Sequence, residues 1–514
     1  MADYVIVGAG TAGCVLAGRL SEDRDVEVLL LEAGGPDTAP ELHIPAAFPA
    51  VFKSGLDWDL LGEQEPGLGN RRLYLPRGRV IGGSGSINAM IYLRGHRADF
   101  DEWAAMGCEG WSYDEVLPYF KRSEDNERGA DEFHGVGGPL AVSDSRSMHP
   151  LIEAMLEAAV QAGHDHIPDL NVDRPEGVSR FQLTQRGGWR CSTADAYLAP
   201  ARERPNLRVT TGGFVQRIVF EGRRAVGVEL VRDGVVETVR AEREVIVSAG
   251  SYQSPVLLMF SGIGRAAQLA PFGIPVLEDL PVGEGMQDHL MAQLNYFTDE
   301  PSLFGIFTPE NFALLQDEGR GPLTSNIPEA GGFFRTRPDL EAPDIEFHFA
   351  PSMFFDEGLT APSDSGYCFG PVVIKPSSRG SVRLRAPLPD SKPLVQCNFL
   401  ATEEDRRSLI EGVRIALEIA SQPALKAVER APYSVPASDS DEDILEWARR
   451  AGQTVYHPTS TCAMGSVVDS ELRVLGTEGL RVVDASVMPT ITRANTNAAT
   501  IMIAEKASDL ISGR

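Results

Sequence analysis

The chain has 514 residues, 51 of them glycine, and a formal net charge of −26. That length predicts about two to four domains, and the acidity excludes a nucleic-acid surface or an anionic membrane as partner. No apolar run approaches the roughly 18 residues that span a bilayer, so no integral membrane segment is expected.

Six cysteines, Cys14, Cys108, Cys191, Cys368, Cys397 and Cys462, show neither a CxxC pair nor a Cys/His cluster of zinc spacing. They read as reduced thiols in a cytoplasmic protein without a metal site. The first apolar run starts directly after Met1-Ala2-Asp3, which leaves no room for a signal peptide.

In chain order, Tyr4 to Val7 reads as a buried parallel strand. It leads into Gly8-Ala9-Gly10-Thr11-Ala12-Gly13 and a small-residue helix through Leu20. Gly8 allows a tight turn, Gly10 lets backbone approach a pyrophosphate, and Gly13 lets helix pack on strand. The helix N-terminus, with free N–H groups and the positive end of the dipole, favours an anion. Val26 to Leu31 is a second strand, ending in Glu32 at about the 20-residue distance where an acid holds a ribose hydroxyl. Together these predict a dinucleotide-binding βαβ unit.

Gly34 to Pro49 reads as an irregular excursion over the cofactor, and Gly78 to Ser86 as a glycine-rich segment able to approach a flat ligand. Residues 206–248 read as a meander of strands over Leu207–Val209, Val215–Phe220, Ala225–Leu230 and Glu244–Val247, the last returning to the parallel sheet before a helix at Pro255–Phe260. From Asn295 to Asp441 the pattern becomes an α+β insertion. It has strands such as Asp344–Phe349 and Ser381–Leu384 and one long helix over Glu403–Ala420, a wall for a substrate pocket. The dinucleotide fold resumes with the strand Leu480–Asp484 and the helix Thr500–Ile511.

The candidate chemical residues are His457, before Pro458, and Asn495-Thr496-Asn497. Histidine titrates near neutrality and can accept a hydroxyl proton. Asn495 and Asn497 each have the plainer reading of a helix cap. His289 reads as a buried hydrogen-bonding residue, and His43, His96, His134, His149, His164, His166 and His348 carry no specific signal. The acid run Asp439, Asp441, Glu442 and Asp443 reads as a solvated helix start. Glu329 and Glu346 are possible pocket carboxylates, and Phe304, Phe307, Phe312, Phe333, Phe334, Phe347, Phe349, Phe354 and Phe355 are either core or an apolar pocket lining.

Gly78 to Asp101 and Gly250 to Gly264 resemble the two signatures of the glucose–methanol–choline flavin oxidoreductase family. With the N-terminal GAGTAG and the C-terminal NTNAATIMIAEKA, the resemblance covers nearly the whole chain. It implies an α/β FAD-binding Rossmann-like domain, with a central parallel sheet and a β-meander, joined to an α+β substrate domain on an antiparallel sheet. The expected FAD-binding domain is discontinuous, over 1–36, 72–100, 190–294 and 455–514. Segments 37–71 and 101–189 connect or cover it, and 295–454 binds substrate.

Carried over by position, the resemblance implies that Gly8, Gly10, Gly13 and Glu32 hold the ADP half of FAD, with Thr11, Ala12, Ala33 and Arg79 in the same contact set and Val215 at the adenine. Gly83, Ser84, Asn88 and Ala89 would line the flavin and phosphates, Ala249 and Gly250 the ADP moiety, and Asp484 and Ala485 the ribityl chain. His457 matches the catalytic histidine and Asn495 its partner, with Thr496 and Asn497 against the flavin. Ile87 stands where covalently flavinylated members carry histidine, so FAD is expected to be non-covalent. The implied reaction is oxidation of a small-molecule alcohol, flavoured toward bacterial choline and alcohol dehydrogenases, with oxygen or a quinone or another acceptor taking the electrons. A hydroxynitrile-lyase-like or photodecarboxylase activity is the alternative on this scaffold. Two departures stand out: Ser84-Gly85-Ser86 in place of consecutive serines, and Arg493-Ala494 before the NTN, which sets a cation near the site mouth where it points inward.

Overall fold

The computed structural model describes residues 2–147 and 149–513. β1 (Ala2–Val7) is buried from Tyr4 onward because it lies between two parallel neighbours. Gly8, at φ +98°, turns the chain out of the strand into α1 (Thr11–Leu20). A Cβ on Gly13 would stand 1.9 Å from the Gly8 carbonyl oxygen, so only glycine lets the helix lie this close. β2 (Val28–Leu31) runs parallel to β1, with Val7 opposite Leu31.

β3 (Gly177–Arg180) belongs to a second sheet, described below. β4 (Leu207–Thr210) corrects the sequence reading: it is not the first strand of the meander but pairs parallel with β2 at the edge of the central sheet. The reason is Asn206, whose side-chain amide donates to the carbonyls of Ser21, Asp23 and Val26 and so clamps the start of β4 to the turn before β2. The meander proper is β5 (Phe214–Glu221), β6 (Arg224–Arg232) and the first half of β7 (Val235–Val247). The second half of β7 changes partner and runs parallel to β1, Val5 opposite Val245. α2 (Gly250–Phe260) follows.

The second sheet is antiparallel. It contains β8 (Leu290–Met291), β9 (Leu294–Phe297), β10 (Ala330–Phe334), β11 (Ile345–Ala350), β12 (Gly366–Val373), β13 (Ala431–Ser434) and β14 (Gln453–Thr454), in the order β13-β9-β12-β11-β10-β3, with β8 joining β12 to β14. It therefore takes in β3 and β8 from outside residues 295–454. Ser381–Leu384 does not join it: Gly380–Arg383 pairs instead with Glu284–Met286 and Leu394–Gln396 in a small separate sheet. α3 (Pro309–Glu318) is a second helix in this stretch, beside the long one expected.

α4 (Glu403–Ala420) has the expected bounds and is capped by the Thr402 hydroxyl, which accepts from the Asp405 N–H. It buries Leu409, Ile410, Val413, Ala416, Ile419 and Ala420, the spacing of one helix face. That face meets β12 and its neighbour β11; on β11, Ile345, Phe347 and Phe349 join the core while His348 and Ala350 point the other way, into a cavity. The acid run opens α5 (Asp441–Ala451) behind the Ser440 cap, as a solvated helix start should. β15 (Leu480–Val482) completes the parallel sheet against β7, and α6 (Thr496–Ser512) starts at Thr496 rather than Thr500. The parallel strands β1, β2, β7 and β15 thus end on one edge, at Gly8, Glu32, Ser248 and Asp484, and all four residues line that cavity.

Candidate active site

The cavity, about 310 Å³, lies between the carboxyl edge of the parallel sheet and the inward face of the antiparallel one. At its first end are Gly8, Gly10, Thr11, Ala12, Glu32 and Ala33. No side chain caps α1, so its first N–H groups face the cavity. The buried Glu32 carboxylate accepts from the Ala9 N–H at 2.9 Å and the Gly34 N–H at 2.8 Å. Burial raises its pKa to about 7, with these backbone bonds and the charge of Arg79 opposing. Two predicted contacts are not on the wall. Gly13 lies behind the turn, and Arg79 is exposed, its guanidinium 5.0 Å from the centre of the Trp58 ring.

Gly83, Ser84, Asn88, Ala89, Val215, Ala249, Gly250, Asp484 and Ala485 all line the cavity. A Cβ on Gly83 would fall 2.7 Å from the Gly10 Cα, so the two glycine-rich segments meet only as bare backbone. The Ser84 hydroxyl accepts from the Gly78 N–H, and Asp484 accepts from the Gly250 N–H and the Ser254 hydroxyl, fastening the start of α2 to the end of β15. Sequence reasoning missed Arg190. This buried guanidinium donates to the Asn88 side chain and carbonyl at 2.7 Å each and to the carbonyls of Leu42 and Gly85. Burial lowers its pKa to about 9.

At the far end the chain returns to His457. β8 pairs with β14, Leu290 opposite Thr454, and the Val455 N–H donates to the His289 carbonyl, which brings residues 289 and 457 side by side. Asp288 secures the arrangement, accepting from the N–H groups of His289 and His457 and from the Thr454 hydroxyl. Burial pushes its carboxyl up to about 6. Tyr456, at φ +68°, makes the turn, held by the Arg77 guanidinium on its carbonyl. The rings of His289 and His457 meet edge to face, with the two Nδ1 atoms 3.0 Å apart. On the other side of the His457 ring, Nε2 lies 3.2 Å from Asn495 Nδ2. The His457 pKa is held well below the ordinary histidine value, first by burial and then by the neighbouring His289, His348 and Arg77.

Asn495 is the N-cap residue of α6, but its side chain caps nothing: the amide nitrogen goes to His457 and the buried Oδ1 has no partner. Thr496 and Asn497 line the cavity from the first turn, and the Asn497 Oδ1 accepts from the Thr11 hydroxyl at 2.9 Å, joining the N-termini of α1 and α6. Arg493 does not reach the mouth. Its N–H and guanidinium both bind Asp99. His348, which had no sequence signal, lines the cavity with Nε2 3.0 Å from the Glu346 carboxylate. Of the nine insertion phenylalanines singled out from the sequence, only Phe354 lines the cavity; Phe333, Phe334, Phe347 and Phe349 are core.

These observations fit FAD. Two uncapped helix N-termini, a bare-backbone cradle at Gly10 and Gly83 and a buried acid after β2 line one cavity, together with Asn495, whose buried Oδ1 has no partner. Among the described residues no His, Cys, Asp and Glu cluster could hold a metal ion.

Comparison with known proteins agrees. GMC oxidoreductase family models match residues 2–291 and 376–504. A GMC-type oxidoreductase of Mycobacterium tuberculosis is 45% identical, covering 99% of each chain. The oxygen-dependent choline dehydrogenase of Brucella ovis is 41% identical over 100% of this chain and 96% of its own. The crystal structure of pyridoxine 4-oxidase from Mesorbium loti superposes with a TM-score of 0.92 at 33% identity, covering 100% of both chains. The chain therefore belongs to the GMC oxidoreductase family, FAD-dependent oxidoreductases that act on alcohol-type substrates.

Proposed function

We propose that this protein oxidises a primary alcohol to its aldehyde, with His457 as general base and FAD held without a covalent link. The observation that carries the proposal is the placement of His457 Nε2 at the cavity wall, 3.2 Å from the Asn495 amide. FAD, when bound, supplies the two-electron acceptor. Glu32, Gly8, Gly10, Thr11, Ala12, Ala33 and Val215 would hold its nucleotide half, and Gly83, Ser84, Asn88, Ala89, Ala249, Gly250, Asp484, Ala485, Thr496 and Asn497 the rest.

His457 Nε2 takes the hydroxyl proton, and loss of that proton raises electron density on the carbinol carbon. Asn495 Nδ2 donates to the same oxygen and fixes its direction, a role that needs no titration. The uncapped N-terminus of α6 favours negative charge at this end of the cavity. Ile87 lines the cavity with an aliphatic side chain, which supports a dissociable cofactor.

Electrons then pass to oxygen or to another acceptor such as a quinone; the names of the Brucella dehydrogenase and the pyridoxine oxidase favour oxygen. The FAD side is read as 1–36, 72–100, 190–294 and 455–514, the substrate side as 295–454, with 37–71 and 101–189 connecting. All six cysteines are buried and unpaired, in keeping with a reducing cytoplasm. Replacing His457→Asn is expected to lower turnover by about 10²–10⁴ while the protein stays yellow. Unchanged turnover in that variant removes His457 from the chemistry.

A further inference from the structure

We infer that His289 is the positioning residue that decides which nitrogen of His457 is basic. The inference rests on the reading of His457 as the base, and the geometry is a chain of three contacts. His289 Nε2 lies 3.1 Å from the Ile374 carbonyl oxygen, its Nδ1 lies 3.0 Å from His457 Nδ1, and His457 Nε2 lies 3.2 Å from Asn495 Nδ2.

The chain has one direction. A carbonyl oxygen has no proton to give, so the hydrogen between His289 and Ile374 sits on His289 Nε2. His289 is fully buried and neutral, which leaves a lone pair on its Nδ1. His457 Nδ1 must then carry the hydrogen of the ring-to-ring bond, because two lone pairs at 3.0 Å repel. A neutral His457 protonated at Nδ1 has its lone pair on Nε2, the nitrogen that meets the Asn495 amide donor and the cavity. The backbone of β12 and its continuation at Ile374 thus sets the tautomer of His457 through His289, without a carboxylate.

The same chain acts when His457 takes a proton. The imidazolium then carries hydrogens on both nitrogens, and the one on Nδ1 still has the His289 lone pair to meet. The other titratable or charged groups around the pair are Asp288, His348, Arg77, Asp99 and Lys375, of which Asp99 is bound by Arg493 and Lys375 by Glu102. Asp288 is occupied by backbone N–H groups and Thr454, and Arg77 by the Tyr456 carbonyl, so neither competes for a ring nitrogen. His348 is turned to Glu346 through its Nε2.

The test is nitrogen NMR of the FAD-loaded enzyme carrying ¹⁵N-histidine, with His457→Asn used to assign the His457 signals. The wild type is expected to show His457 with a bare Nε2 and a protonated Nδ1. His289→Leu removes the acceptor; it is expected to mix the two tautomers and to lower kcat by about 10²-fold with KM within a few-fold. His289→Asn returns an acceptor oxygen near the Nδ1 position and is expected to restore most of that loss, although it fills the space less well than leucine. A bare Nδ1 on wild-type His457, or an asparagine variant no better than the leucine variant, overturns the inference. If His289→Leu does not fold, the wild-type spectrum alone decides. Full turnover in His457→Asn would instead sink the base assignment and leave the tautomer result standing.

Discussion

His457 and His289 are buried and their pKa values are lowered, His289 to about 3 and His457 well below its ordinary value, in both cases chiefly by burial. A base with a depressed pKa stays unprotonated further into acid. The acid limb of kcat/KM is therefore expected below pH 6.5, and a limb at or above pH 7 would show that His457 is not the group read. The same shift has a stability consequence. Below pH 6.5 the unfolded chain takes protons that the folded His289 refuses, so stability is full above that pH. It falls by up to roughly 1.4 kcal/mol per pH unit as the pH drops toward about 3. A thermal-melting series should show a shallower acid decline in His289→Asn than in the wild type. His348 faces the cavity without touching His457 in a hydrogen bond, and Glu346 is its only polar side-chain partner among the described residues. Replacing His348→Ala is expected to raise KM by about tenfold and to change kcat less, as loss of a substrate contact does. An equal fall in kcat with KM unchanged would place His348 in the chemical step instead.

At the scale of elements, the β1–Gly–α1 unit was legible because every contact in it is local: the turn, the helix and the acid after β2 lie within one short stretch. The helix over Glu403–Ala420 was legible for a similar reason, since its apolar face repeats along the chain. β8 and β14, which bring the two histidines together, are two residues each and have no period to detect. The contact they create spans 168 positions of sequence. His348 was invisible because one residue on an apolar strand carries no spacing. The motif at 495–497 lies on the cavity wall, but whether asparagine caps the helix or meets His457 depends on where residue 457 stands in space. Gly13 gives a test at this scale. Gly13→Ala forces a methyl to within 1.9 Å of the Gly8 carbonyl, so the βαβ turn must open. Loss of bound FAD with destabilisation of about 1–3 kcal/mol is expected, and an alanine variant that binds FAD normally would show the turn to be more yielding than its geometry.

Across the whole molecule, the cavity is walled by both sheets, so a ligand filling it ties the two together. FAD should accordingly stabilise the entire chain, by about 2.7 kcal/mol at a hundredfold excess over its Kd. Because Ile87 offers no attachment atom, acid precipitation is expected to leave all the yellow colour in the supernatant; colour retained in the pellet would mean a covalent link elsewhere. Among the described residues no helix is long and apolar enough to cross a membrane. The most direct measurement is anaerobic mixing of the yellow holoenzyme with a panel of primary alcohols, choline, benzyl-type and long aliphatic, while following the oxidised flavin band. Alcohol oxidation through His457 predicts that one class bleaches the band rapidly in the wild type and about 10²–10⁴ times more slowly in His457→Asn, with air restoring the colour if oxygen is the acceptor. A flavin that dithionite reduces but none of these alcohols bleaches would contradict it.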